Sequence, residues 1–287
     1  MISGGNATVY VSNMDAAVRF YTETLGLKLT NRFGNHWATI EASPSYWTTD
    51  DVGAGLVIGL HPQSPKYPAP GTMGAVGFGL ETYEPIEGVI ARLVQRGVGM
   101  TGDIIRFEAG NTVSFEDPDG TPTYLHEFPP EMVPQTDLGP DENPSKDAAP
   151  AMLSGGHAIV YVSEMDAAVR FYADVLGLNL TNRYGDKWAT VEAGRDLVIG
   201  LHPRSPESPA PGTKGSVMLG LTIDEPIASV VSRLVERGVR LTGDIVRSET
   251  DNFVEIEDLD GNAIYLWEID AEPVPENDLV SKGSTNR

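Results

Sequence analysis

Few residues in this chain can do chemistry, and their types narrow what that chemistry can be. There is no cysteine among the 287 residues, which excludes disulfides, thiolate zinc sites, iron–sulfur clusters and cysteine nucleophiles together. A metal centre would have to use histidine and carboxylate. Of the five histidines, His61 and His202 end the same phrase, Leu-Val-Ile-Gly-Leu-His before Pro, while His126 and His157 lie in β-rich runs. An imidazole in a polar pocket can act as a general base or metal ligand. At a strand end before proline it can equally be hydrogen-bonded and inert. Tyr124 and Tyr265 are phenols, suited to hydrogen-bonding a ligand and lining a pocket. Trp37 and Trp188 alternate in phase with Glu41 and Glu192, so a ring and a carboxylate share one side of each strand. Those glutamates read either as bases or as solvated strand ends. Arg32 and Arg183 can pair with them, bind an anionic substrate or stay at the surface.

What must position these residues is a repeat. Residues 3–43 match residues 154–194 at an offset of 151 without a gap, with 29 of 41 positions identical. The match resumes at Leu56 against Leu197 with an offset of 141 and runs to Glu127 against Glu268. The first copy therefore carries 10 extra residues, at about Pro44 to Ala54, with Tyr46 and Trp47 among them. Within a copy, Val9 to Val11 reads as a strand. A helix follows from Asp15, with Ala16, Ala17, Phe20 and Leu25 at helical spacing and Gly26 as breaker. Asp15 and Asp166 are the expected helix caps. Strands are expected over Leu27 to Arg32, Trp37 to Glu41 and Leu56 to His61, then Ala75 to Leu80. A second helix is expected from Pro85 to Arg96, closed by Gly97. Short strands near Ile104, at Thr112 to Glu116 and at Thr123 to Glu127 complete the pattern, the last two joined by a type I turn at Asp117-Pro118-Asp119-Gly120. Each copy is thus βαβββ twice.

Charge removes other partners. With 20 Lys+Arg against 41 Asp+Glu the formal charge is −21, so neither a phosphate backbone nor an anionic membrane is an expected partner. No apolar run approaches the roughly 18–20 residues of a span, and the N-terminal residues lack a signal-peptide pattern. A cytoplasmic location is expected. No GxGxxG before a helix, P-loop, GxSxG, HExxH or EF-hand spacing occurs.

The strand followed by MDAAVRFYxxxLGL (Met14 to Leu27, Met165 to Leu178), with the later turns at Glu116 to Gly120 and Glu257 to Gly261, resembles the vicinal oxygen chelate superfamily. This group includes glyoxalase I, bleomycin-resistance proteins, fosfomycin-resistance enzymes and extradiol dioxygenases. The resemblance implies an α+β fold of two tandem domains, each a pair of βαβββ units forming curved mixed sheets with a cup-shaped cavity. It also implies inward metal ligands. The first-strand His of the family falls on His157 and on Asn6. The fourth-strand Glu falls on Gly59 and Gly200. The His opening the second unit has no counterpart, and the closing Glu falls on Tyr124 and Tyr265. One of eight ligand positions is kept, against the roughly three protein ligands that a catalytic divalent site needs.

The expected organisation is a domain over 1–128, a Pro-rich acidic linker over 129–152, a second domain over 153–270 and a polar tail over 271–287. The expected function is binding of a small, partly aromatic or apolar organic molecule without the usual metal, either as sequestration or as a metal-independent isomerase or lyase. If the chain is an enzyme, glyoxalase-like chemistry is favoured over dioxygenase chemistry. His157, Tyr265 and Glu192 are the catalytic candidates. Tyr161, His202, Trp267, Trp188, Asn6, Tyr10, His61, Tyr124, His126 and Trp47 are the ligand-binding candidates. No cofactor is expected. The alternative is a divalent metal (Mn, Fe, Ni or Zn) in a site rebuilt around His157 and His202. The partner is a small-molecule ligand or substrate, and the protein a monomer or homodimer. Whether each cavity is built within one copy or shared between the two stays open at this level.

Overall fold

The computed structural model describes residues 2–42, 55–107, 110–128, 152–153, 155–194, 196–247 and 252–268. Four βαβββ units follow one another in it, the fourth with one additional two-residue strand. The first is β1 (Ile2–Val11), α1 (Met14–Arg19), β2 (Lys28–Phe33), β3 (Trp37–Ala42) and β4 (Leu56–Pro62). The second is β5 (Val76–Thr82), α2 (Ile86–Gln95), β6 (Ile105–Phe107), β7 (Gly110–Glu116) and β8 (Pro122–Glu127). The third is β9 (Gly155–Val162), α3 (Met165–Val169), β10 (Asn179–Arg183), β11 (Ala189–Ala193) and β12 (Leu197–Pro203). The fourth is β13 (Val217–Ile223), α4 (Ile227–Glu236), β14 (Arg240–Leu241), β15 (Val246–Arg247), β16 (Asn252–Glu257) and β17 (Ala263–Glu268). Among the described residues no helix is long and apolar enough to cross a membrane.

Strand pairing does not respect the copies. The first unit joins the fourth in the order β2-β3-β4-β1-β13-β17-β16, with β14 and β15 both on the outer edge of β16. The second joins the third in the order β10-β11-β12-β9-β5-β8-β7-β6. The two tracts touch where Leu56 of β4 pairs with Leu197 of β12. Each tract is therefore made from one unit of each copy, which answers the question left open by the sequence. β1 runs longer than the apolar run Val9 to Val11 because it is paired on both sides, parallel to β4 and antiparallel to β13. Its glycines permit this: a Cβ on Gly5 would stand 2.4 Å from the Gly220 carbonyl oxygen.

Helices and turns tie the units of one copy back together. The Tyr21 hydroxyl in the first unit donates to Asp117 Oδ2 in the second (3.1 Å), while the Asp119 and Thr121 amides donate to Asp117 Oδ1 (3.0 and 2.8 Å). Tyr172 and Asp258 repeat the contact at 3.0 Å in the other copy. The two signature stretches of each copy are thus hydrogen-bonded to one another. Burial pushes the Asp117 and Asp258 carboxyls up, but backbone amides hold both in place. One buried apolar cluster spans all four units.

The first helix departs from expectation. After Arg19 the turn widens to a π-helical stretch over Phe20–Thr24, and the Leu25 amide donates to the Phe20 carbonyl (2.9 Å). Asp15 and Asp166 do not cap it. Asn13, extended at φ −140°, is the cap, its side chain accepting from the Ala16 amide at 3.0 Å. Asp15 already lies inside the first turn and pairs with Arg32 instead, as Asp166 does with Arg183. The second helix matches expectation: α2 is followed by Gly97 at φ 91°, the left-handed closure glycine allows.

Candidate functional site

Each tract gathers a closed circuit of aromatic side chains. In the second tract Tyr124 stacks on His126 (6.3 Å between ring centroids) and His126 stacks on His157 (5.4 Å). Trp188 stands edge-on to both His157 and His202 (5.4 and 5.8 Å), and His202 stands edge-on to Tyr161 (5.4 Å). The Tyr161 and Tyr124 hydroxyls close the circuit at 3.5 Å. Beneath it, Tyr124, Gly79 and His157 form one row across β8, β5 and β9, with Gly77 and Ile159 the row beside it. A Cβ on Gly79 would meet the His126 ring at 2.9 Å, whereas one on Gly77 would meet nothing within 4 Å.

Polar chemistry on this histidine face centres on a buried pair. His157 Nδ1 lies 2.8 Å from Glu81 Oε1, with His157 1% and Glu81 0% exposed. The Nε2 atoms of His126 and His157 are buried without a hydrogen-bond partner. Desolvation, reinforced by His157 and His202, holds the His126 pKa down to about 3, so this imidazole is neutral. Burial also lowers His202, whose Nδ1 donates to the Pro203 carbonyl at 2.7 Å.

In the first tract the circuit is richer in phenol and indole. Tyr265 packs on Trp267 (5.8 Å), Trp267 on Trp37 (6.4 Å), Trp37 on His61 (6.2 Å) and His61 on Tyr10 (5.2 Å). Tyr10 stacks on Tyr67 (4.8 Å), and Tyr67 returns to Tyr265 (6.0 Å) through a hydroxyl–hydroxyl hydrogen bond. Here the row is Tyr265, Gly220 and Asn6, and Asn6 accepts from the Thr8 hydroxyl at 2.7 Å. The Tyr265 hydroxyl also donates to Glu255 Oε2 (3.0 Å), and Lys214 Nζ lies 3.7 Å from Glu255 Oε1. Burial, with Tyr67 and Glu255 beside them, raises Tyr10 and Tyr265 and keeps both phenols protonated. A cavity of about 390 Å³ opens next to this circuit, walled by Tyr67, Met218, Phe253, Ala263, Lys214 and Glu255 among others.

The expected site residues divide between the faces. Tyr124, His126, His157, Tyr161, Trp188 and His202 come together on one; Asn6, Tyr10, His61, Tyr265 and Trp267 come together on the other. The expected catalytic group of His157, Tyr265 and Glu192 is not assembled. His157 and Tyr265 lie in different tracts because the fourth unit pairs with the first. Glu192 faces the edge strand, where Asn179 Nδ2 reaches it at 3.4 Å, as Glu41 faces Lys28 at 3.2 Å. Trp47 lies outside the described residues. None of the expected residues is in the cavity wall. The wall uses Tyr67, Met218, Phe253 and Glu255, whose counterparts in the other copy are Ser208, Gly77, Thr112 and Ser114. These positions escaped sequence reasoning because it favoured residues the copies share, and the cavity is built where they differ. Glu81, opposite Thr222, escaped for the same reason.

The donor set does not fit the divalent metal that the family resemblance implies. A Cβ on Gly59 would lie 2.4 Å from Trp37 Cη2, and one on Gly200 2.2 Å from Trp188 Cη2. Indole rings thus occupy the ground where the fourth-strand carboxylates would stand. Trp188 also touches both members of the rebuilt pair His157 and His202. Among the described residues no three His, Cys, Asp or Glu side chains gather as a ligand set.

Comparison with solved structures agrees with the architecture. Glyoxalase I from Zea mays superposes with a TM-score of 0.63 over 93% of this chain and 92% of that chain, at 16% identity. A putative dioxygenase from Bacillus subtilis subsp. subtilis str. 168 gives 0.57 over 93% and 85%, also at 16% identity. TnmS3, an antibiotic binding protein from Streptomyces sp. CB03234, aligns with 42% of this chain and 91% of its own at 30% identity, with a TM-score of 0.33. No curated protein matches the chain. Likeness at 16% identity shows the fold alone. The model of the Glyoxalase/Bleomycin resistance protein/Dioxygenase superfamily matches residues 5–123 and again 155–266, and to that superfamily this chain belongs.

Proposed function

We infer that the protein binds a small, partly aromatic or apolar organic molecule on the tyrosine face, without a metal held by its side chains. The observation carrying this reading is the cavity of about 390 Å³ between Tyr67, Phe253, Met218 and Glu255, a size within the range of small-molecule pockets. Its aromatic walls offer flat surface to a planar ligand. Glu255 is an acceptor in that wall, its side chain 13% exposed and oriented by Tyr265, so it favours a ligand with a hydroxyl or amino group. The walls come from both copies, which makes the intact repeat the binding unit.

A thermal-shift screen of the full chain against aromatic metabolites and antibiotics tests this, since a ligand that binds only the native state raises its melting temperature. A hit whose shift is lost in Phe253→Ala supports the reading; a hit insensitive to Phe253→Ala and to Tyr67→Ser overturns it. Stoichiometric metal in protein prepared without chelator would overturn the metal-free part.

A further inference from the structure

The histidine face holds a group that ligand binding at the cavity does not use. Glu81 and His157 are both buried and 2.8 Å apart, and Glu81 contacts Nδ1 of the imidazole, leaving Nε2 on the other side of the ring. A carboxylate fixing one nitrogen of an imidazole selects its tautomer and leaves the second nitrogen for proton transfer. That nitrogen is buried and has no partner, an arrangement native proteins rarely tolerate without a purpose. His126 covers Gly79 beside it and supplies no hydrogen bond to it.

Open ground lies one row from His157 on the same sheet face, at Gly77. Nothing stands within 4 Å of the Cβ direction of Gly77, which shares a strand face with Gly79 and Glu81. On the tyrosine face Met218 fills the equivalent point. The hydroxyls of Tyr124 and Tyr161 close the far side of the circuit 3.5 Å apart; burial raises Tyr161 and keeps it a donor.

We propose that the histidine face is a proton-transfer site, in which His157 Nε2 takes a proton from a small planar carbon acid seated over Gly77, Glu81 positions the imidazole, and the Tyr124 and Tyr161 hydroxyls donate to the oxygen that gains charge. No oxidant or co-reactant is needed. In the step the C–H bond breaks and an N–H bond forms on the imidazole. The electron pair moves into the substrate toward the oxygen, and the proton returns to a different atom of the substrate or leaves to water.

The probe is 5-nitrobenzisoxazole, a planar carbon acid. Removal of its ring proton turns the C–H pair into the third bond of a nitrile, and the N–O bond breaks to release a coloured phenolate. The full chain is expected to turn it over faster than free imidazole at equal concentration by about 100-fold. His157→Gly should lose that acceleration and recover part of it when imidazole is added to the solution, a rescue that a merely structural histidine would not give. Glu81→Gln should lower kcat about tenfold with KM unchanged. Gly77→Met copies the other face, leaves His157 in place and should abolish turnover without lowering the melting temperature. Turnover no faster than free imidazole, turnover that survives His157→Gly or Gly77→Met, or turnover lost in Glu255→Gln instead would each overturn the proposal.

Discussion

The two faces descend from one pattern and have diverged at matched places. Both keep the Tyr–Gly row, the Trp over a glycine and a His before Pro. They part at Asn6 against His157, Trp267 against His126, Met218 against Gly77, Phe253 against Thr112, Glu255 against Ser114 and Thr222 against Glu81. On the tyrosine face the carboxylate sits in the wall of an open cavity, accepts from the Tyr265 hydroxyl and faces Lys214, while the Trp267 indole nitrogen is buried without a partner. On the histidine face the carboxylate is fully buried behind an imidazole, and two ring nitrogens have no partner. One scaffold thus presents aromatic surface on one side and an oriented base on the other. Strand pairing across the copies makes this possible, because every face combines an early unit with a late one.

The largest effect should come from the feature the faces share. Gly59→Glu and Gly200→Glu, which reinstate the family carboxylates, would drive a side chain into Trp37 or Trp188 and should each cost about 3 kcal/mol in denaturant unfolding. A clearly smaller loss at one site would mean that its indole is free to leave, and that this face alone could be returned to metal binding.

Acid should separate the faces next. The folded His126 pKa is about 3, below the unfolded value of 6.5, so the unfolded chain takes up the proton first and stability falls as pH drops below 6.5. Between pH 7 and pH 5 this residue should remove about 2 kcal/mol. His126→Trp, the residue used at the matched place on the tyrosine face, should flatten the acid limb by that amount. An unchanged limb would show that His126 does not carry the difference.

Removing the tethers should treat the copies alike. Tyr21→Phe and Tyr172→Phe each delete one hydrogen bond to a buried aspartate and should each cost about 1–2 kcal/mol. Unequal losses would show that one face rests on a looser frame. The smallest effect belongs to the exposed pairs: Arg32→Ala and Arg183→Ala should change stability by no more than about 1 kcal/mol apiece, and a larger loss at either would mean that the Asp–Arg pair fixes its helix.

Much of this was legible in the sequence. The offset repeat, the helix closed by Gly97 and the Asp117 to Gly120 turn all appear where expected, because each depends on neighbours within a few positions. Strand alternation with the family resemblance turned His61, His126, His157 and His202 inward, but the grouping of Tyr124 and His126 with His157, Tyr161, Trp188 and His202 waited on the pairing of β5 with β9. Asp15 as a cap and Glu192 as a catalytic group did not follow. An aspartate near a helix start has several partners within reach, and Arg32 reaches it from another element. Glu192 shares a strand side with Trp188, yet four residues along a strand is about 13 Å, too far to join the same cluster.

By itself the sequence determined the four-unit architecture, the superfamily and the absence of thiol chemistry, since periodicity, turn residues and composition are local or additive properties. Only the tertiary structure decided that unit one pairs with unit four and unit two with unit three. Residues as far apart in the chain as Tyr67 and Tyr265, 198 positions, meet through that pairing. It placed Glu81 behind His157 and Glu255 beside Phe253, because a side chain's chemistry depends on its neighbours across the strands, and strand partners are set by the packing of the whole chain.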